Sequence, residues 1–138
     1  MKKQNEIELD FEIDKLTNSI ENSLSGEIFE TEITHITSKE IKLINKSEWV
    51  FDWKAELKIT SNMVYKLTTL NNSTILHGLI CLTDKQDHIV MPLIESAKFN
   101  KGNKKLYKGV AGNLVAFAVR HRLKKVMTEL FHLLQRHN

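Results

Sequence analysis

Cysteine, proline and glycine are all scarce in these 138 residues, and each scarcity removes a class of protein. A single cysteine, Cys81, cannot close an internal disulfide, so no disulfide framework holds the chain, and a reducing, cytoplasmic setting is the expected one. One proline and five glycines exclude collagen-like repeats and low-complexity linkers. No apolar run approaches the ~20 residues that a membrane-crossing helix needs, so no membrane is expected among the partners. The opening residues, MKKQNEIELDFEIDK, place Lys2 and Lys3 before no apolar stretch, so no secretory signal is expected. The six histidines show no spacing typical of metal ligands, and no metal site is expected.

What is present is an ordinary balance: 41% hydrophobic and 27% charged residues, enough apolar mass for one domain with a buried core. The net charge of +3 is small but unevenly placed. Residues 1–40 are rich in Glu and Asp. From Lys98 onward the chain is basic, with Lys101, Lys104, Lys105, Lys108, Arg120, Arg122, Lys124, Lys125 and Arg136. A basic half suits an anionic partner, whether nucleic acid, a membrane surface or a phosphorylated cofactor; the sign of the charge does not choose among them.

Periodicity gives the elements. Phe11, Ile13, Leu16, Ile20 and Leu24 recur at near-helical spacing, which predicts a helix over 10–24 ended by Ser25-Gly26. Residues 27–36 alternate, predicting a strand with Ile28, Ile33 and Ile36 in the core. Ser38-Lys39-Glu40 reads as a helix start, and the aromatic stretch 49–57 is ambiguous, with Trp49 and Trp53 serving either as core or as the wall of an acceptor pocket. Val64–Leu70, a turn at 71–73 and Thr74–Leu82 predict a hairpin. The apolar run Ile89–Ile94 predicts a buried central strand, and Pro92 within it predicts a bulge, because proline lacks the ladder donor. Cys81 is expected in the core. After a polar loop at 98–105, Gly109 and Gly112 open a long helix. The order predicts an α/β arrangement with a mixed sheet.

A strand, a loop and a glycine-bearing helix start make a place for a phosphate. Free N–H groups at a helix N-terminus point outward with partial positive charge, and glycine lets the backbone approach the anion. Lys104, Lys105 and Lys108 add charge. The alternative is an ordinary helix entry with small residues for packing.

The run Thr74–Phe117, and above all HIVMPLIESAKFNKGNKKLYKGVAGNLVAFA, resembles the core of the GNAT-type acyl-CoA N-acyltransferase family. In that family a meander ends in a splayed, bulged strand, followed by a Gln/Arg-x-x-Gly-x-Gly/Ala turn and a helix that holds the coenzyme pyrophosphate. Leu106-Tyr107-Lys108-Gly109-Val110-Ala111 occupies the turn; Gly109 and Ala111 match, whereas Leu106 stands where Gln or Arg is usual. The resemblance is carried by roughly residues 60–120 of one domain spanning the chain. It implies acetyl-CoA as cosubstrate, an amine as acceptor, and coenzyme contacts from Leu93, Ile94, Lys104, Lys108, Gly109, Val110, Ala111, Gly112 and Asn113. The strand around Pro92, Leu93 and Ile94 would hydrogen-bond the pantetheine arm as an added strand would, with backbone N–H groups stabilising the oxyanion. Glu95 is the candidate general base, against a plain structural role, and His88 is the alternative base.

After Val119 the likeness stops. The family supplies a fifth strand here, whereas this chain reads RHRLKKVMTELFHLLQRHN. Back-translated from Lys125 and shifted by one base, degenerate codons can spell Gly-Tyr-Asp-Gly-Val-Ile-Ser-Phe-Thr-Ala-Lys-Thr-Gln, which resembles the missing strand. The resemblance therefore implies a frameshifted, truncated member with the C-terminal strands missing, reduced or lost activity, and an exposed strand edge. The alternative is a genuine long C-terminal helix with an apolar face. Homodimerisation through that edge or that helix is a further expectation. A second function class is a non-catalytic interaction or nucleic-acid-binding module using the basic residues from Arg120 to Arg136. No reader motif is present and no aromatics interleave with the basic residues, so nucleic acid is the less expected partner.

Overall fold

The computed structural model describes residues 18–86 and 89–136, apart from the side chains of Met91, Pro92 and Arg136. It is an α+β fold: a curled antiparallel sheet crossed by a long C-terminal helix. The strands are β1 (Ser19–Asn22), β2 (Ile28–His35), β3 (Asn62–Thr69), β4 (Gly78–Asp84), β5 (Ile89–Ser96) and β6 (Tyr107–Lys108). The helices are α1 (Trp53–Leu57) and α2 (Val110–Arg136). The sheet order is β5-β4-β3-β2-β1-β6, and every pair is antiparallel, so the mixed sheet expected from the sequence is not found among the described residues.

β4 is apolar on both faces because both faces are covered. Ile80 and Leu82 point to one core with Ile20, Leu67, Val110, Leu114 and Ala118, beneath α2. Leu79 and Cys81 point to a second core with Ile44, Trp49, Trp53 and Leu76, beneath the irregular segment 36–57. The six residues Leu67, Leu79, Ile80, Leu82, Leu114 and Trp53 are at most 1% exposed. Truncating any one to Ala is expected to cost about 2–5 kcal/mol. Lys66 lies on the second face, buried, and its ammonium is matched by Glu40. The Tyr65 ring sits 4.2 Å from His35 and 4.8 Å from Phe117, pinning α2 to β2 and β3.

Several expectations change. The part of the predicted helix 10–24 that falls at 10–17 lies outside the described residues; Ser19–Asn22 is a strand. Ile20 pairs with Phe29 and is buried, and this tertiary contact overrides the local spacing. Ser25-Gly26 does end the element, as a hairpin turn: the Asn22 side chain accepts from Leu24 and Ser25 N–H, and Gly26 has φ +74°. In β2, Ile33 packs as expected, Phe29 takes the core place, and Ile28 is exposed. The helix start at 38–40 yields only a single 3-10 turn, Ile41–Leu43. The second hairpin strand begins at Gly78, not Thr74, because Asn72 accepts from the Thr74 N–H and hydroxyl and holds that stretch as a turn.

β5 is confirmed as a strand and as bulged. Cys81 pairs with Leu93 and Thr83 with Val90, so Met91-Pro92 carry one extra residue opposite Leu82. It is an edge strand in the described sheet, not a central one; its apolarity comes from layers on both faces. α2 starts after Gly109 as predicted and runs 27 residues, about 40 Å at 1.5 Å per residue.

Candidate functional site

Two places hold the residues singled out in the sequence, and they lie on opposite faces of β4 and β5. The first is the entry to α2. Gly109 has φ +96°, a left-handed conformation that a side chain makes costly, and it turns the chain from β6 into the helix. The next N–H groups, of Val110, Ala111 and Gly112, have no acceptor within the helix, whereas Asn113 N–H already donates to Gly109 carbonyl. Ala111 is exposed, as are Lys104, Lys105 and Lys108 on the loop and strand leading in. Val110 and Leu114 face inward over Gly78, where an added Cβ would meet Leu114 Cδ1 at 2.7 Å. Gly78 pairs with Ser96, so the curl of the sheet brings the helix entry near the end of β5.

Asn113 serves the fold. Fully buried, it accepts from the Thr31 hydroxyl at 2.8 Å and donates to the carbonyls of Ser19 at 2.8 Å and Gly109 at 2.7 Å. These bonds tie α2 to β1 and β2. Neither its side chain nor its N–H is left for a coenzyme.

The second place is centred on Glu95. Its side chain leaves β5 on the face away from α2 and is 2% exposed. It accepts from Val50 N–H at 2.7 Å, Phe51 N–H at 3.2 Å, Trp53 Nε1 at 2.8 Å and Lys101 Nζ at 2.9 Å. Burial pushes its pKa up, but these four donors outweigh burial and leave it below the usual carboxylate value. That is the arrangement of a structural carboxylate, and it makes Glu95 a weak base. Its donors Val50, Phe51 and Trp53 also line a cavity of about 160 Å³, together with Ile44, Lys46, Trp49, Asp52 and Lys54. Trp49 and Trp53 are thus both core residues and cavity walls.

Leu93 and Ile94 are half-buried on opposite faces, Leu93 toward the Trp49–Trp53 layer and Ile94 toward α2. The outer edge of β5 has no strand beside it among the described residues. His88 lies outside the described residues. Cys81 is buried, and burial, with Glu56 nearby, pushes its thiol up to about 11, so it is a core group and no nucleophile. Among the described residues no three His, Cys, Asp or Glu side chains gather as metal ligands, and no helix is long and apolar enough to cross a membrane.

Among the buried polar groups that sequence reasoning missed is a network around His77. His77, 3% exposed, receives Asn100 Nδ2 at its Nδ1 at 3.1 Å, and Asn100 Oδ1 accepts from Tyr107 N–H at 3.2 Å. Burial pushes the imidazole down to about 4. The available signal was a polar residue at the head of an apolar strand. Compared with family models, with curated proteins and with solved structures, the chain matches none.

Proposed function

We propose that this chain is a GNAT-like domain whose α2 entry binds the pyrophosphate of acetyl-CoA, with transfer of the acyl group to an amine as the ancestral activity. The observation that carries the reading is the junction of a bulged β5, the edge strand of the described sheet, with a helix entered through left-handed Gly109. Three N–H groups without helical acceptors and the exposed Lys104, Lys105 and Lys108 supply the complement to a diphosphate. The outer edge of β5 around Leu93 and Ile94, which has no strand beside it among the described residues, is available to the amides of a pantetheine arm. In the transfer, the amine nitrogen forms a C–N bond to the thioester carbonyl carbon, the C–S bond breaks, and the amine proton must be removed. Glu95 holds four donors, so efficient transfer would need another proton acceptor, and weak turnover is the expectation.

The test is calorimetric titration of acetyl-CoA into the chain and into Ala111→Glu. Ala111 is exposed in the first helical turn, so the new carboxylate opposes a diphosphate without disturbing the core. Saturable binding that Ala111→Glu weakens about tenfold or more supports the reading. No binding by the unaltered chain overturns it.

The second reading, an interaction module built on α2, is favoured by its exposed apolar residues from Leu123 to Leu134. A face of that kind suits another protein better than nucleic acid.

A further inference from the structure

α2 has two apolar faces, and the sheet covers only one. Val110, Leu114 and Ala118 are buried against the strands, with Phe117 and His121 partly so, and Lys125 continues this side by pairing with Asp84. On a helix of 100° per residue, Val119, Leu123, Val126, Leu130 and Leu133 fall on the opposite side. All five are 47–60% exposed. Their spacing of four, three, four and three residues is the strict repeat of a coiled-coil seam. A soluble helix does not ordinarily keep such a seam in water.

We infer that this face pairs α2 with α2 of a second copy of this chain, the two helices antiparallel. The charges flanking the seam choose that occupant. Arg122 and Glu129 both lie on one side of it, seven residues apart. In an antiparallel pair centred between Lys124 and Lys125, Leu123 meets the partner's Val126 and Val119 meets the partner's Leu130. The same register sets Arg122 beside the partner's Glu129, and two-fold symmetry repeats the ion pair. A parallel pair gives neither residue an opposite charge; Arg122 would face Met127 and Glu129 would face Leu134. The overlap from Ala116 to Leu133 is about 27 Å long. The seam is independent of the α2 entry and does not rest on coenzyme binding.

The experiment is sedimentation equilibrium of the full chain over a range of concentrations. The unaltered chain is expected to be a dimer. Leu123→Glu with Leu130→Glu should make it a monomer with an unchanged circular dichroism spectrum, since both side chains are exposed within one copy. Arg122→Glu or Glu129→Arg alone should weaken the dimer about fivefold, and the two together should restore it. A monomer at all concentrations overturns the proposal. So does a dimer indifferent to the leucine changes, or charge reversals that do not rescue one another. A monomer that binds DNA with steep salt dependence overturns it in favour of a nucleic-acid partner.

Discussion

The Trp53 indole Nε1 donates to the Glu95 carboxylate at 2.8 Å, joining α1 to β5 across 42 residues of chain. With Val50 and Phe51 N–H and the Lys101 ammonium, it makes Glu95 the fastening of the whole 49–57 segment. Glu95→Gln replaces one acceptor oxygen with a donor that faces other donors, and should destabilise the fold by about 1–3 kcal/mol in urea unfolding. The folded pKa of Glu95 is lowered from the ordinary 4.5, so its contribution is present above that value and is lost as pH falls through the folded value. Unfolding measured from pH 5 to pH 3 should therefore show a steeper loss for the unaltered chain than for Glu95→Gln. Equal slopes would mean that the carboxylate is not ionised in this network.

Gly78 and Gly26 make a paired test of packing against backbone conformation. A Cβ at Gly78 would lie 2.7 Å from Leu114 Cδ1, 3.0 Å from Val110 Cγ1 and 3.3 Å from the Glu95 carbonyl. Gly78→Ala forces the Leu114 side chain to shift in the buried contact between α2 and β4, and is expected to cost about 1–3 kcal/mol. At Gly26 nothing lies within 4 Å, but φ is +74°, so Gly26→Ala should cost about 1 kcal/mol through backbone strain alone. Thermal unfolding of both variants separates the two causes. Only Gly78→Ala should also perturb a signal from α2, such as the resonances of the Leu114 methyl groups.

The contrast between β5 and β1 shows what the sequence made legible. Proline lacks a donor wherever it stands, so the bulge at Met91-Pro92 follows from chemistry local to the chain. The entry of α2 is legible for the same reason, because Gly109 and the apolar repeat after it act within a few residues. The strand at Ser19–Asn22 is not, because the contacts that fix it come from Phe29 and from β6, over eighty residues away. Glu95 was legible as a residue of consequence but not in its role. Its partners Val50 and Phe51 contribute backbone N–H groups, which carry no sequence signal. The likeness to the acyltransferase turn draws attention to Asn113, yet only the placement of Thr31 and Ser19 reveals what that side chain holds.

Asn113→Ala removes three hydrogen bonds at once and leaves the Thr31 hydroxyl and the Ser19 carbonyl without that partner. A loss of about 2–4 kcal/mol is expected from these buried groups. Asn113→Asp keeps the acceptor for Thr31 but turns a carboxylate oxygen toward the carbonyls of Ser19 and Gly109, so it should be no better. Hydrogen exchange checks the mechanism. Amides of β1 should lose protection with those of the first turn of α2, because the same side chain holds both.

His77 makes the fold sensitive to mild acid. Its imidazole is buried and its pKa is lowered from 6.5 to about 4, burial being the cause. The neutral ring accepts from Asn100 Nδ2 at Nδ1; protonation would place an N–H there, facing another donor. Between pH 6.5 and 4 the unfolded chain therefore binds more protons at this residue than the folded one. Stability from this source is complete above 6.5 and falls as the pH drops toward 4, by at most about 3 kcal/mol. His77→Gln removes the titrating group while keeping a side chain that can accept from Asn100. Its unfolding free energy should be less dependent on pH across this window than that of the unaltered chain, in which the His77 ring resonances should hold still from pH 7 to 5. A His77 titration midpoint near 6.5 would show that the ring reaches water, and that the network with Asn100 and Tyr107 opens in solution.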